Sequence, residues 1–147
     1  MKQVYLTKTA SFLPNEPVEN DQMESILGMI GGKPSRVRNI ILRQNGIKKR
    51  YYAMDKHGNI THTNAELTAR AIKNLFDDNV ALKDIELLSC GTSLPDQILP
   101  SHASMVHGLL GDHPMEIISP SGVCCSGAHA MKYGFLSVAS GNTQNAI

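Results

Sequence analysis

Two adjacent cysteines, Cys124 and Cys125, lie between an apolar run and a long segment of small residues. The run at 115–118 predicts a strand and the segment at 126–140 predicts a helix, so the residues between them form a tight turn at a helix N-terminus. Backbone N–H groups and the positive end of the helix dipole favour a thiolate at such a position. Cys125, followed by Ser126 and Gly127, is therefore the candidate for a nucleophile.

The cysteines and the nearest histidine also have plainer interpretations. Free cysteine is among the most buried residue types, so packing is the alternative role for Cys125. We expect Cys124 to be a small residue that faces the core, and Cys90, at the end of a strand, to be a packing residue. His129 lies one helical turn beyond Cys125, where we expect packing or support of the site, with a Cys–His dyad as the alternative. The three cysteines have no C-x-x-C spacing and the histidines are poorly spaced for a metal, so we predict neither a disulfide framework nor a metal site.

The composition is that of a globular protein with a core. The chain has 147 residues, of which 41% are hydrophobic and 18% charged, and its net charge is +1. This balance argues against general attraction to nucleic acid or to a membrane surface. No apolar run is long enough to cross a bilayer, and residues 1–5 lack the features of a signal peptide, so we expect a cytoplasmic location. Residues 141–147 have the pattern of a loop that leads to a further strand, so we expect the chain to be part of a larger protein.

The first residues of the chain predict a strand followed by a helix. Alternating apolar residues predict a strand over 3–13. Asn20 or Asp21 is placed to cap a helix, which the Gly-Gly pair at 31–32 can end.

A one-sided basic segment follows this helix. Residues 33–50 carry seven Lys or Arg and no Asp or Glu, around an apolar run at 40–42 that we expect to be buried. The segment is either a solvated face or a landing site for phosphate or for an acidic partner protein. Asn45-Gly46 within it marks a tight turn.

The rest of the chain alternates helices with strands. The pattern predicts a helix at 64–76, a strand at 85–90, a helix from Ser101 to a stop at Gly111, a strand at 115–118 and a helix at 126–140. Strands that alternate with helices indicate an α/β fold with a mostly parallel sheet. Gly91-Thr92-Ser93 follows the first of these strands, at the edge where such folds place ligand-binding loops. The last helix carries small residues on several sides, so we expect it to be buried between layers.

The order of strand, turn, Cys-Ser-Gly and small-residue helix resembles the nucleophile site of the thiolase-like condensing enzymes. The similarity is greatest to β-ketoacyl-[acyl-carrier-protein] synthase III, whose nucleophile lies in a Cys-x-Gly motif that is matched here at 125–127. Three further stretches resemble that family in the same order: Leu13-Pro14 with Asn20-Asp21, Arg43 to Arg50, and Gly91-Thr92-Ser93 with Leu99-Pro100-Ser101. The resemblance implies a layered α-β-α-β-α thiolase-like fold. Residues 1–147 would form its N-terminal half, and the C-terminal half would be absent from this chain.

The resemblance also implies an acyltransferase chemistry. Cys125 would take an acyl group from an acyl-CoA or acyl-carrier-protein thioester, and a malonyl-carrier-protein would lose CO2 and condense with it. The family's oxyanion donors are a His, an Asn and the backbone N–H at the nucleophile. The His and Asn come from the second half of the fold, so we expect this chain alone to be inactive. The resemblance further implies fatty acid or polyketide-like biosynthesis, acyl carrier protein as a partner, a homodimer, and no metal or permanently bound cofactor.

The sequence departs from the family at residues that hold the acyl donor. Members that use acetyl-CoA place a Trp and an Arg against the adenine, and the matching residues here are Ile40 and Gln44, in a chain without Trp. Arg43, one residue away, is the candidate for contact with the thioester or its carrier. Leu99 aligns with a residue that in the family reaches into the partner subunit's acyl pocket. A Leu in place of a bulky aromatic residue predicts room for a longer acyl chain.

Two other functions are consistent with the same motifs. One is a neighbouring thiolase-superfamily activity, of the hydroxymethylglutaryl-CoA synthase or chalcone-synthase type, which would share Cys125 and differ in the second half. The other is a non-catalytic partner subunit with a thiolase fold. The presence of Cys125 argues against the non-catalytic role.

Overall fold

The computed structural model describes residues 2–147, which form two compact units. The smaller unit contains residues 13–63, and the larger contains residues 2–12 and 64–147. In chain order the elements are β1 (Val18–Glu19), α1 (Met23–Leu27), α2 (Arg38–Asn45), β2 (Lys49–Arg50), α3 (Asn64–Lys73), β3 (Leu87–Ser89), α4 (His102–Leu110), β4 (Glu116–Ile118) and α5 (Ser126–Ser140), with 3-10 turns at Leu82–Asp84 and Val123–Cys125. None of the helices in residues 2–147 has the length and apolarity needed to cross a bilayer.

A parallel pair of strands forms the centre of the larger unit. β3 pairs in parallel with β4, with Leu88 opposite Ile117. On the other edge of β3, the N–H of Ile147 donates to Leu87 O and the N–H of Ser89 donates to Ile147 O, both at 2.9 Å. β3 is therefore an interior strand, which accounts for the full burial of Leu87 and Leu88. The predicted parallel arrangement is confirmed in this unit.

Helices α3 and α4 pack together on one face of β3. Successive side chains of a strand point to opposite faces, and Leu88 and Cys90 share the face that meets these helices. The buried core formed there consists of Ala65, Ala69, Ile72, Leu88, Cys90, Ala103 and Val106. Apolar residues on one side of each helix thus build the main core of the protein.

Side chains from distant loops cap both of these helices. The carboxylate of Asp96 accepts hydrogen bonds from the backbone N–H groups of Asn64 (2.7 Å) and Ala65 (2.8 Å) at the start of α3. The hydroxyls of Ser101 and Ser119 accept N–H groups of the first turn of α4 at 3.3 and 2.7 Å. These bonds satisfy donors that a helix leaves unpaired at its N-terminus, and they fix the loops after β3 and β4.

Helix α5 packs on the opposite face of β3. The Ser89 hydroxyl donates to the carbonyl of Ala130 at 3.0 Å. The buried residues of α5 are Ser126, Ala130, Gly134, Ser137 and Ala139, whereas Met131, Phe135 and Leu136 are exposed. Four of these buried residues recur every three or four positions, so the helix is buried mainly on the face towards β3, while Ala139 is buried on another side, where its carbonyl accepts the N–H of Lys2.

The smaller unit is built on a short antiparallel pair, with Val18 of β1 opposite Arg50 of β2. Helix α1 ends at Gly28, which has a positive φ of 81°, so the predicted stop at 31–32 is wrong. Helix α2 was not predicted, and within the apolar run at 40–42 only Leu42 is buried. Gly46 ends α2 in the left-handed conformation (φ 68°), which confirms the predicted turn.

The predicted strand at 3–13 is wrong. Tyr5 and Leu6 are exposed, and none of residues 3–13 forms a ladder with another segment of residues 2–147. The apolar alternation is present in the sequence, but a strand also requires a hydrogen-bonded neighbour. Among residues 2–147, the segment 3–13 has no such neighbour.

Candidate active site

Cys125 lies where the sequence pattern predicts, at the junction of a turn and a helix. It is the last residue of the 3-10 turn that follows β4, and it is the N-cap residue of the fifteen-residue helix α5. Its side chain is exposed. Its backbone N–H donates to the carbonyl of Gly122 at 3.0 Å, which closes the turn directly before the helix. A thiol is thereby held at the electropositive end of a long helix.

The turn contains a strained residue, Val123, two positions before the candidate nucleophile. Its φ is 50°, in the left-handed region that a β-branched residue rarely adopts. The carbonyl of Val123 accepts hydrogen bonds from two hydroxyls, those of Ser93 and of Ser126 (2.8 Å for Ser126). The Ser126 hydroxyl also accepts the N–H of Gly122 at 3.2 Å. A conformation of this kind persists only where surrounding groups hold it, and these bonds supply the restraint.

The end of β3 comes unusually close to the start of α5. A Cβ atom on Gly91 would lie 2.2 Å from the carbonyl oxygen of Ser126 and 2.9 Å from the backbone nitrogen of Gly127. Both contacts are with backbone, which cannot rotate away. Gly91 is therefore a glycine because the helix that carries Cys125 occupies the place of its side chain.

The other two cysteines differ sharply from each other. Cys90, directly after β3, is buried in the core, and burial raises the pKa of its thiol to about 12, as expected for a packing residue. Cys124 is exposed, so the prediction that it faces the core is wrong for the described residues. Residues 2–147 contain no group of three His, Cys, Asp or Glu side chains that could hold a metal ion.

His129 lies against the turn, in the supporting position predicted for it. It is exposed on α5, four residues after Cys125. A Cβ atom on Gly122 would lie 2.8 Å from Cε1 and Nδ1 of His129, so the imidazole ring covers the Cα of that glycine.

Several curated proteins similar to this chain are named β-ketoacyl-[acyl-carrier-protein] synthase III. No family model matches the chain. A β-ketoacyl-[acyl-carrier-protein] synthase III from Bordetella petrii is 28% identical over 153 residues, and one from Deinococcus radiodurans is 25% identical over 148 residues. Both alignments cover 100% of this chain, but only 43% and 40% of those relatives.

Solved structures of condensing enzymes are similar to this chain in fold. The tetronic acid condensing enzyme AbyA1 superposes with a TM-score of 0.73 at 26% identity, covering 89% of this chain and 40% of that one. The 3-oxoacyl-[acyl-carrier-protein] synthase III of Aquifex aeolicus superposes with a TM-score of 0.71 at 22% identity, covering 90% and 39%. The chain is synthase III-like and has a thiolase-like fold. It spans about two fifths of the length of the curated relatives that it matches.

The two residues predicted to hold the acyl donor, Arg43 and Leu99, are both exposed. Arg43 is exposed in the last turn of α2, in the smaller unit. Leu99 lies in the loop between β3 and α4 and is 82% exposed, so residues 2–147 form no enclosed acyl pocket around it. The roles assigned to Arg43 and Leu99 stay predictions.

The backbone N–H of Cys125 already has a hydrogen-bond partner in this structure. The family resemblance implies that the backbone N–H at the nucleophile stabilises an oxyanion, and in this structure the N–H of Cys125 donates to Gly122. The bond is of ordinary length, 3.0 Å. A substrate oxygen can therefore accept this N–H only if the N–H is shared with the Gly122 carbonyl or if the bond to Gly122 breaks.

Several residues that hold the nucleophile were not predicted in that role. Gly91 and Ser93 were noted only as members of a loop at the end of a strand, and Gly122 and Val123 only as part of the turn. Gly91 and Ser93 contact residues 30 or more positions away in sequence, so local patterns carry no signal for them, whereas the contacts of Gly122 are with residues 125–129. Gly127, by contrast, belongs to the family motif, yet no atom lies within 4 Å of the place of its side chain among the described residues.

Proposed function

We propose that the protein carrying this synthase III-like chain is an acyltransferase of the 3-oxoacyl-[acyl-carrier-protein] synthase III type, acting in the cytoplasm in fatty acid or polyketide-like biosynthesis. The observation that carries the proposal is the placement of Cys125. The exposed thiol belongs to the N-cap residue of a long helix, on a turn that is held from the loop after β3, in a chain similar to synthases III along its whole length.

The first step is loading of an acyl group. The Cys125 thiolate attacks the carbonyl carbon of an acyl thioester, and a new carbon–sulfur bond forms. The tetrahedral intermediate then collapses, the original carbon–sulfur bond breaks, and the leaving thiolate takes up the proton that Cys125 has lost. Negative charge that develops on the substrate oxygen lies near the N-terminus of α5, where the helix dipole stabilises it.

The second step is condensation with a malonyl group on acyl carrier protein. Loss of CO2 leaves a carbanion, which attacks the acyl carbonyl on Cys125. The new carbon–carbon bond forms as the bond to sulfur breaks, and Cys125 is released as thiolate. The His and Asn that assist this step in the family are proposed to lie outside residues 1–147, so residues 1–147 alone are expected not to carry out the condensation.

The acyl donor and the partner follow from the same resemblance. Arg43 is proposed to contact the phosphate-bearing arm of the thioester or its carrier, because it is an exposed cation in the stretch that holds the donor in the family. Leu99 is proposed to border the acyl pocket and, being smaller than an aromatic residue, to admit a longer chain. The complete protein is proposed to be a homodimer without a resident cofactor.

The test is transfer of an acyl group to the cysteine. The full-length protein is incubated with acetyl-, hexanoyl- and dodecanoyl-CoA and with the corresponding carrier-protein thioesters, and adducts are located by peptide mass spectrometry. We expect one acyl group on the peptide that contains Cys125. The Cys124→Ala variant, which removes the neighbouring exposed thiol, is the matched control and should retain the adduct.

Two results would refute the covalent mechanism. One is the absence of any adduct on the wild-type protein with all donors. The other is an adduct of equal yield in the Cys125→Ala variant. An adduct that disappears in Cys124→Ala but persists in Cys125→Ala would move the nucleophile to the neighbouring residue.

A further inference from the structure

The contact between His129 and Gly122 has no counterpart in the motifs that identify the site. The ring covers the Cα of the glycine so closely that a Cβ atom there would be 2.8 Å from two ring atoms. Real Cβ atoms essentially never approach other heavy atoms to less than 3.0 Å. A side chain at position 122 and the ring of His129 are therefore mutually exclusive in this arrangement.

Gly122 is a central residue of the turn that presents the nucleophile. Its carbonyl accepts the N–H of Cys125 at 3.0 Å, and its own N–H donates to the Ser126 hydroxyl at 3.2 Å. Val123, the next residue, has the strained φ of 50°. Two hydroxyls hold the carbonyl of Val123, and the ring of His129 packs on the residue directly before it.

The position of His129 on α5 explains how a helical residue reaches the turn. It lies four residues after Cys125, hence one helical turn along the same face. Side chains of an α-helix point back towards its N-terminus, which brings the ring over residues that precede the helix. The ring therefore ties the first turn of α5 to the loop that leads into it.

We propose that His129 is a positioning residue for Cys125, and that position 122 is a glycine in order to admit its ring. The ring acts by packing: it holds Gly122, and through the Gly122–Cys125 hydrogen bond it holds the backbone of the nucleophile. This inference rests on the proposed function only in taking Cys125 as the acyl acceptor.

The test combines amide hydrogen exchange with acyl transfer in the full-length protein. The variants are His129→Ala, His129→Phe, Gly122→Ala and the double variant Gly122→Ala/His129→Ala. We expect His129→Ala to speed exchange in a peptide over 122–126 by about tenfold, while a peptide over 134–140 of the same helix is unchanged. The saturating rate of acyl transfer to Cys125 should fall by about tenfold without a change in the half-saturating thioester concentration.

The other variants separate packing from imidazole chemistry. His129→Phe keeps a flat ring of similar size, so it should retain exchange and transfer rates within about threefold of wild type. Gly122→Ala displaces the ring and should behave like His129→Ala. In the double variant the effects should not add, because the ring that alanine at position 122 would meet is already absent.

Three outcomes would overturn the inference. These are unchanged exchange over 122–126 in His129→Ala, a His129→Phe variant as slow in transfer as His129→Ala, or effects of the two single variants that multiply in the double variant. If the wild-type protein forms no acyl adduct, the proposed function fails, and the exchange measurement still decides whether His129 holds the turn.

Discussion

The close approach of β3 to α5 predicts that Gly91→Ala harms the site more than any change in an exposed loop. The added methyl group would lie 2.2 Å from the Ser126 carbonyl oxygen and 2.5 Å from its carbonyl carbon. Both atoms belong to the first residue of α5, directly after Cys125. The backbone of the helix, or the end of the strand, must therefore move.

The size of the movement follows from the contact distance. Relief of the clash to 3.0 Å requires a shift of at least 0.8 Å from the 2.2 Å found. Over-packing of this kind costs about 1–3 kcal/mol of stability. A displacement near 1 Å at a reacting group lowers a rate by up to about 100-fold, so we expect acyl transfer to Cys125 to slow by one to two orders of magnitude.

The assay pairs thermal or denaturant unfolding with the saturating rate of acyl transfer, using the full-length protein. Gly108→Ala is the matched control, because it lies in the interior of α4 and no atom is within 4 Å of its absent side chain. Alanine there should raise the free energy of unfolding by up to about 1 kcal/mol, as in other helix interiors. The reasoning fails if Gly91→Ala leaves both stability and transfer rate unchanged, or if Gly108→Ala is equally harmful.

Three further predictions use groups away from the turn. A disulfide reagent such as dithionitrobenzoate should modify two thiols of the folded protein quickly and Cys90 only on unfolding, since burial raises its pKa to about 12; rapid loss of all three thiols of this chain would contradict this. Asp96→Ala should lower the free energy of unfolding by about 1–2 kcal/mol because it uncaps α3 at Asn64, whereas Asp112→Ala, at an exposed position, should change it little. Burial lowers the pKa of His102, so below pH of about 6.5 the unfolded chain binds a proton that the folded protein does not, and stability should fall there. The His102→Gln variant should lack this fall in stability at low pH. If its stability depends on pH as that of the wild type does, His102 is not the cause.

Helix boundaries could be predicted where the signals are local. Ser101 caps α4 and Gly111 ends it, as the sequence indicates, because each acts on backbone groups within one turn. The predicted bounds of α5, 126–140, are confirmed, and Gly141 ends the helix in the left-handed conformation.

Other elements could not be predicted because their determinants are tertiary. Helix α2 begins after Val37, which has no capping side chain, and the apolar run at 40–42 predicts burial although Ile40 and Ile41 are exposed. The segment 3–13 has the alternation of a strand but no partner among the described residues. In both cases the local pattern was correctly observed, and the environment decided the structure.

The site also has local and tertiary determinants, and its tertiary determinants come from the end of β3 and the loop after it. The turn and the cysteine are local and could be predicted. What fixes the turn against the rest of the protein comes from Ser89, Gly91 and Ser93: the first donates to α5, the second makes room for its first residue, and the third holds the Val123 carbonyl. Ser89 is the last residue of β3, and Gly91 and Ser93 lie in the loop directly after it, while Leu88 and Cys90 face the main core. A slip of one residue in the pairing of β3 would turn bulky side chains towards α5 and remove all three contacts together. The register of β3 against β4 therefore determines the position of Cys125 as strictly as the turn that contains it.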